Sequence, residues 1–389
     1  MSKILLKNLN KYFGDLKAVD CINLEINEKE FITLLGPSGC GKTTTLRCIA
    51  GLEEPNSGEI YIDDHCVYSS EKRINVLPGR RKLGLVFQNY ALWPHMTVGQ
   101  NISFGLGREN LQKAALEERV MEILRIVGLE GHAERYPHEL SGGQQQRVAV
   151  ARMVVTEPKI FLFDEPLSNL DAKLRMKLRS ELKRLHLDLG ATTVYVTHDQ
   201  IEAMALSDKI VVMKEGVVQQ VGAPYEIYHF PSNLFIADFM GNPQTNLLKG
   251  TVRRQNGKTA IAFKEFTDLT IVLEVGNDLA EGHEVIVNIR PEDIEISRNS
   301  NDQWLACNVY TTQPMGSEIL VHLKSKRSNI DIVAKNVEEE CLDLKTEMTV
   351  SIKPKRGNVY DEKTGNLILS FGMAGEGGGV KPTRGGSVG

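Results

Sequence analysis

The stretch "FITLLGPSGCGKTTTLRCIAGL" spans residues 31–52 and decides the fold. An apolar run, Phe31–Leu35, reads as a buried strand, and "KTTTLRCIAGL" (42–52) reads as a helix. Between them "GPSGCGKTT" (36–44) matches G-x-x-x-x-G-K-[ST] in the required place, after a strand and before a helix. The residue types have physical reasons. Gly36, Gly39 and Gly41 let backbone N–H groups curl around phosphate oxygens, with Pro37, Ser38 and Cys40 completing the loop. Lys42 brings a positive charge to the terminal phosphates. Thr43 offers a hydroxyl to a magnesium ion, and Thr44 lies in the first helical turn.

Working outward, residues 1–235 alternate strand-like and helix-like segments, which predicts an α/β sheet with both faces covered. "KIFLFDEP" (159–166) precedes leucines 170, 174, 178, 182, 185 and 189 at helical spacing. "TTVYVTHD" (192–199) leads into "QIEAMALS", and "KIVVMKEGVVQQVG" (209–222) reads as a hairpin. Residues 89–152 read as a helical insertion, with Leu116, Val120, Ile123, Leu124 and Val127 on one face. From about residue 236 to 372 short alternating strands separated by turns predict a small all-β, barrel-like domain. The Gly-rich residues 373–389 predict a disordered tail.

Bulk properties exclude several classes. A net charge of -4 over 389 residues gives no global attraction for nucleic acid or an anionic membrane. The cysteines at 21, 40, 48, 66, 307 and 341 have no CxxC spacing, which points to a reducing compartment without a zinc site. No apolar run reaches the roughly 18–20 residues of a spanning helix, and the start, "MSKILLKNLNKYFG", reads as no secretory signal.

Other candidates stand at strand ends. Asp164, closing "IFLFD", is placed to hold a metal, and Glu165 to face a water that attacks a γ-phosphate. Each acid alone is also what a solvated strand end looks like. His198 after "TVYVT" and Gln88 after "LGLVF" are, singly, ordinary structural residues. The turn "LSGGQ" (140–144) opens a helix, and bare N–H groups there attract anions. A second anion-type loop in one chain requires an explanation.

Taken in order, the phosphate loop, LSGGQ, the Asp164-Glu165 strand, "SNLD" (168–171) and Thr197-His198-Asp199 resemble the ATP-binding subunits of ABC transporters. The resemblance covers nearly all of residues 1–235 and implies ATP and Mg²⁺ as ligands. It implies a homodimer in which Ser141, Gly142, Gly143 and Gln144 of one subunit meet the ATP held by the partner's Lys42. By the same resemblance, Glu165 is the general base, His198 holds the γ-phosphate, and Gln88 contacts Mg²⁺ or the attacking water. Thr43 and Asp164 join Gln88 around the metal, and Asp171 meets the opposite subunit. An aromatic ring at Phe13 stacks on adenine, with Tyr12 the alternative.

Finer stretches, "EPLSNLDAKLR", "VTHDQIEAMALSDKIVVM", "IRPEDIEI" and "MGSEILVHL", resemble the maltose and glycerol-3-phosphate branch of importers, with a β-rich regulatory domain. This implies transmembrane permease subunits as partners, with "QNYALWPHMTVGQNISFGL" (88–106) forming a groove for a permease helix. It implies an extracytoplasmic solute-binding protein as an indirect partner, and a place at the cytoplasmic face of the cell membrane. The β domain is read either as a docking surface for a regulator or as dimer contact. Iron(III), polyamine and sulfate importers share the layout. A soluble ABC ATPase acting on nucleic acid or the ribosome is the other class; one cassette and no basic excess weigh against it.

Overall fold

A computed structural model describes residues 3–107, 112–255, 257–263, 270–273, 279–298, 305–325, 331–336 and 344–372. The predicted disorder of residues 373–389 lies outside this set. The chain divides into two compact units, Met1–Tyr225 and Glu226–Gly389.

The first unit is built on a six-stranded sheet. Its order is Val217–Gly222, Lys209–Lys214, Phe31–Leu35, Thr192–Thr197, Ile160–Asp164, Leu83–Val86. Only the first pair, the expected hairpin, is antiparallel; the other four pairings are parallel. Parallel strands buried on both faces need apolar residues at every position, which is why these segments read as continuous apolar runs. The side chains alternate between two cores. Phe31, Phe161, Phe163 and Tyr195 pack on one side, with the helical segments. Ile32, Leu34, Ile160, Leu162, Val194 and Val196 pack on the other, with the helix Lys42–Ala50 and a second sheet.

That second sheet is antiparallel, ordered Leu16–Ile26, Ile4–Phe13, Ser57–Ile62, His65–Ser69, Ile74–Asn75. The expected helical insertion contains Val98–Ser103, Lys113–Ile126 and Gly142–Val154. The stripe read from the sequence holds: Val120, Ile123 and Leu124 are buried, with Leu116 and Val127 packed against them. The helix Ala172–Leu189 buries Leu178 and Leu182, whereas Leu189, at its last turn, is 42% exposed.

The second unit holds two antiparallel sheets over one core. One orders Thr270–Val272, Lys258–Phe263, Asn246–Gln255, Glu284–Ile289, Gly357–Asp361, Leu367–Phe371. The other orders Ile294–Ser297, Thr349–Pro354, Leu305–Pro314, Ile319–Ser325, Asp331–Asn336. Val285, Val287 and Ile289 from the first meet Val309, Val321 and Ile352 from the second in that core. The change of texture near residue 236 puts the boundary later than the structural division at Tyr225/Glu226. The reason is local bonding. The buried Tyr360 hydroxyl donates to the Pro231 carbonyl at 2.9 Å, and Leu234 N–H donates to Gly365 O at 2.9 Å. Arg290, 3% exposed, stacks its guanidinium 3.5 Å from the Tyr228 ring centroid and donates to the Tyr228 and Met240 carbonyls. Residues 226–240 therefore belong to the β unit although they include most of the helix Pro224–His229 and the helix Leu234–Phe239.

The two-core arrangement makes a stability prediction. Leu162→Ala, at a fully buried position of the central sheet, is expected to cost about 2–5 kcal/mol. Leu187→Ala, 63% exposed on the helix Ala172–Leu189, is expected to change stability by no more than about 0.5 kcal/mol. Urea unfolding of both variants checks this; equal losses would mean the sheet face is wrongly assigned.

Candidate functional site

Strand register assembles the site. In the parallel ladders Leu35 pairs with Thr197, Val196 with Asp164, and Phe163 with Val86. The residues that follow these positions therefore leave the sheet at one edge, the carboxyl edge where open α/β sheets bind ligands. They are the Gly36–Thr44 loop, His198, Glu165 and Gln88.

The phosphate loop is shaped by close backbone approach. Gly41 has φ +100°, and a Cβ there would sit 2.0 Å from the Ala18 carbonyl oxygen. No other residue fits without moving the strand Leu16–Ile26. Gly36 and Cys40 are buried, while Pro37, Ser38 and Gly39 are exposed at the loop's outer turn. The Lys42 side chain folds back into this loop. Its ammonium donates to the carbonyls of Gly36 at 2.7 Å and Pro37 at 2.9 Å. Thr43 and Thr44 are half-buried in the first helical turn. Burial raises the Cys40 thiol's pKa, opposed by the Lys42 charge, so Cys40 stays protonated.

Beside the loop, Thr43 Oγ1 donates to Asp164 Oδ1 at 2.7 Å, and Arg47 lies 3.6 Å from Asp164 Oδ2. Asp164 is 3% exposed, and burial holds its carboxyl above the usual range against the pull of Thr43 and Arg47. The Thr43–Asp164 pair presents two hard oxygen atoms, the donor chemistry magnesium takes. No group of three or more His, Cys, Asp or Glu side chains suited to a metal occurs among the described residues.

Glu165 is the focus of the cluster. His198 Nδ1 lies 3.1 Å from Glu165 Oε2, and Gln88 Nε2 donates to the same oxygen at 3.5 Å. Three residues far apart in sequence thus converge on one carboxylate oxygen. The glutamate's backbone is left-handed, φ 46°, a conformation that costs a non-glycine residue about 1–3 kcal/mol. Its amide donates to Val196 O at 3.1 Å, and Ser168 Oγ donates to its carbonyl at 3.0 Å. Asn169 Nδ2 donates to the Gln88 carbonyl at 3.2 Å, a contact that sequence reasoning missed, because "SNLD" shows no separation from a simple turn.

The signature turn makes its contacts elsewhere. Ser141 caps the helix Gly142–Val154: its hydroxyl accepts from Gln144 N at 3.4 Å, and Gln144 Oε1 accepts from Ser141 N at 2.9 Å. Gln144 Nε2 lies 3.1 Å from His132 Nε2. A Cβ on Gly143 would meet the Leu174 side chain at 2.8 Å, so this helix start packs tightly on the helix Ala172–Leu189. Asp171 caps that helix, accepting from Leu174 N at 2.9 Å. Phe13 is 48% exposed, with Lys11 Nζ 4.9 Å from its ring centroid, whereas the Tyr12 hydroxyl is engaged by Asn10 at 3.0 Å.

The buried acid has a measurable pH signature. A carboxyl whose folded pKa lies above its unfolded value destabilises the folded state at neutral pH, and that penalty vanishes below both values. Asp164→Asn, which keeps an acceptor for Thr43, is therefore expected to unfold at a higher temperature than the wild type at pH 7. The gap should narrow as pH falls through the folded-state pKa. A pH series of thermal unfolding midpoints checks this; a lower midpoint for the variant at pH 7 would contradict it.

Comparison with known proteins agrees with this geometry. A model of the ABC transporter family matches residues 19–168, and a TOBE domain model matches residues 287–359. The chain is 44% identical over 380 residues to the trehalose/maltose import ATP-binding protein MalK of Thermococcus litoralis, covering 95% of this chain and 100% of that one. It is 42% identical over 373 residues to the oligosaccharides import ATP-binding protein MsmX of Bacillus subtilis, covering 94% and 99%. A solved dimeric ATP-binding cassette, MJ0796, in a post-hydrolysis state with ADP and phosphate, is 35% identical with a TM-score of 0.50. That match covers 57% of this chain and 98% of the cassette. With a phosphate loop, a buried acid beside it and a signature helix in one α/β unit, followed by a β unit matching TOBE, the chain belongs to the ABC transporter family of ATP-binding, ATP-hydrolysing proteins.

Proposed function

We propose that this chain is the ATPase subunit that powers import of a carbohydrate. Two copies sandwich two ATP molecules and dock on transmembrane permease subunits at the cytoplasmic face of the membrane. The observation that carries the reading is the separation of the two loops. Thr43, Asp164, Glu165, Gln88 and His198 gather around one phosphate loop, while the donor-rich Ser141–Gln144 turn makes its contacts with His132 and Leu174. A turn built for anions and tied elsewhere in its own chain suits a second subunit's nucleotide. No helix among the described residues is long and apolar enough to cross a membrane; in this reading the translocation path comes from the permease subunits. Relatives that match both units over 95% and 94% of this chain are sugar import proteins, which supports the carbohydrate class.

The chemistry follows from the cluster. Lys42 offers its ammonium to the terminal phosphates, and Phe13, the more exposed of the two candidate rings, offers a face to adenine. Thr43, Asp164 and Gln88 are the side chains that would hold Mg²⁺, which neutralises charge on the phosphoryl oxygens when bound. Glu165 takes the proton of a water whose oxygen attacks the γ-phosphorus as the bond to the bridging oxygen breaks, giving ADP and phosphate. His198 and Gln88 hold the Glu165 carboxylate and line the γ-phosphate position. The partner's signature turn, with Ser141 and the amides of Gly142 and Gly143, completes the cradle. Asp171 stands at the same subunit boundary.

Two substitutions test this mechanism. Glu165→Gln should lower turnover by roughly 10²- to 10⁴-fold, the usual worth of a general base, while ATP binding persists. Wild-type phosphate release by that variant would remove Glu165 from the role. Ser141→Arg should bind ATP as a monomer yet fail to form an ATP-dependent dimer on size exclusion; an unchanged dimer and full activity would reject the shared site. For the cargo, a strain lacking the chain should lose uptake of a sugar while ferric iron, polyamine and sulfate uptake persist. Loss of one of those instead would reassign the class.

A further inference from the structure

We infer that Arg175 is a positioning residue for hydrolysis, a single guanidinium that fixes His198 against Glu165 by joining the Leu170–Asp171 turn to the His198 segment. The inference rests on the ATPase reading above and concerns a residue outside the nucleotide cluster. Arg175 lies in the first turn of the helix Ala172–Leu189, one turn after its cap Asp171. Nη2 donates to the Leu170 carbonyl at 3.0 Å, and Nη1 donates to Asp199 Oδ2 at 3.2 Å. Nε lies 3.8 Å from Glu202 Oε1.

Those acceptors bracket His198. Asp199 is its neighbour and caps the helix Gln200–Leu206, its Oδ1 accepting from Ile201 N at 2.8 Å and Glu202 N at 3.1 Å. Asp199 N in turn donates to Thr197 Oγ1 at 3.0 Å, and that hydroxyl donates to Glu202 Oε2 at 2.7 Å. Tyr195 donates to the same Glu202 oxygen at 2.9 Å. Both residues flanking His198 are thus held by a partly buried network that Arg175 joins. Its other arm holds the residue before Asp171, the position read as facing the partner subunit. Asp171 itself is exposed.

The side-chain type matters. A planar fork with donors in fixed directions serves a carbonyl and a carboxylate together, and a lysine ammonium on a flexible stem does not hold that geometry. If the guanidinium is lost, Asp199 keeps its capping bonds but loses its tether to the Leu170 turn. His198 then loses its registration against Glu165 Oε2, now 3.1 Å away. A misplacement of about 1 Å in a catalytic geometry can cost about 10²-fold in rate.

The test is a kinetic cycle on the full-length chain, with phosphate release measured against ATP concentration. Arg175→Ala should lower kcat roughly ten- to hundredfold with the ATP KM within about twofold, because the tether touches no nucleotide-binding group. In a His198→Ala background the same change should cost no more than about twofold, since the two residues act as one unit. A full loss in both backgrounds, a KM that rises in proportion, or an unchanged kcat overturns the inference. Should Arg175→Ala precipitate, Arg175→Lys is measured instead. It is expected to lose kcat while keeping the wild-type thermal midpoint, and wild-type kcat in that variant also overturns the proposal. A wild-type chain without ATPase activity, or a fully active Glu165→Gln, would instead remove the underlying mechanism, so the two failures are separable.

Discussion

The site depends on one constraint, the parallel register of four neighbouring strands. Because Leu35, Thr197, Asp164 and Val86 end their strands close to one line, the loop or residue that follows each is delivered to the same edge. Register in a sheet buried on both faces is enforced strongly. A slip of one residue would exchange the Phe161 and Phe163 side for the Leu162 side and invert both cores. It would also move Glu165 along its strand by about 3.3 Å, enough to break its contacts with His198 and Gln88. The hydrophobic effect acting on aliphatic and aromatic side chains therefore fixes the position of polar groups that themselves contribute little to folding.

Those polar groups work against stability. Asp164 is a buried carboxyl, Lys42 an almost fully buried ammonium and Glu165 a left-handed residue. Each is tolerated because its neighbours are already committed. Lys42 is met by carbonyls of its own loop, Asp164 by Thr43 and Arg47, and the Glu165 backbone by Val196 and Ser168. The hairpin turn joins this scaffold too, with Gly216 N donating to the Cys40 carbonyl at 3.1 Å. Concentrating such costs where a charged ligand is to be bound is the pattern expected when strain and desolvation serve a site.

Much of this was legible in the residues alone, for identifiable reasons. The phosphate loop, the sheet strands and the helical stripe at Val120, Ile123 and Leu124 each follow from short-range rules of spacing and apolar periodicity. So does the presence of a β-rich second unit. What escaped was decided at long range. No local pattern tells that Arg290 would bury itself against Tyr228 and draw residues 226–240 into the β unit. None tells that Asn169 would hold the Gln88 main chain, or that Arg175 would reach Asp199. Asp171 illustrates the ambiguity of a motif: the family resemblance gives it a role toward a partner, and the structure gives it a helix to cap within its own chain. The capping bond uses only Oδ1 of this exposed carboxylate.

The signature turn is held firmly in its own chain, which suits the role proposed for it toward a neighbour. Its capping box satisfies the amides of Ser141 and Gln144 internally, so the turn keeps its shape without a ligand. The amides of Gly142 and Gly143 are the ones this box leaves, at the positive end of a helix, and an anion is their natural partner. Gly143 also sits against Leu174, one residue from Arg175, on the helix that Asp171 caps. An unbroken set of contacts thus runs from the signature turn through Leu174 and Arg175 to Asp199, beside the histidine that faces Glu165. The turn proposed to meet a partner's phosphate and the residues proposed to act on the chain's own are thus joined through the helix Ala172–Leu189.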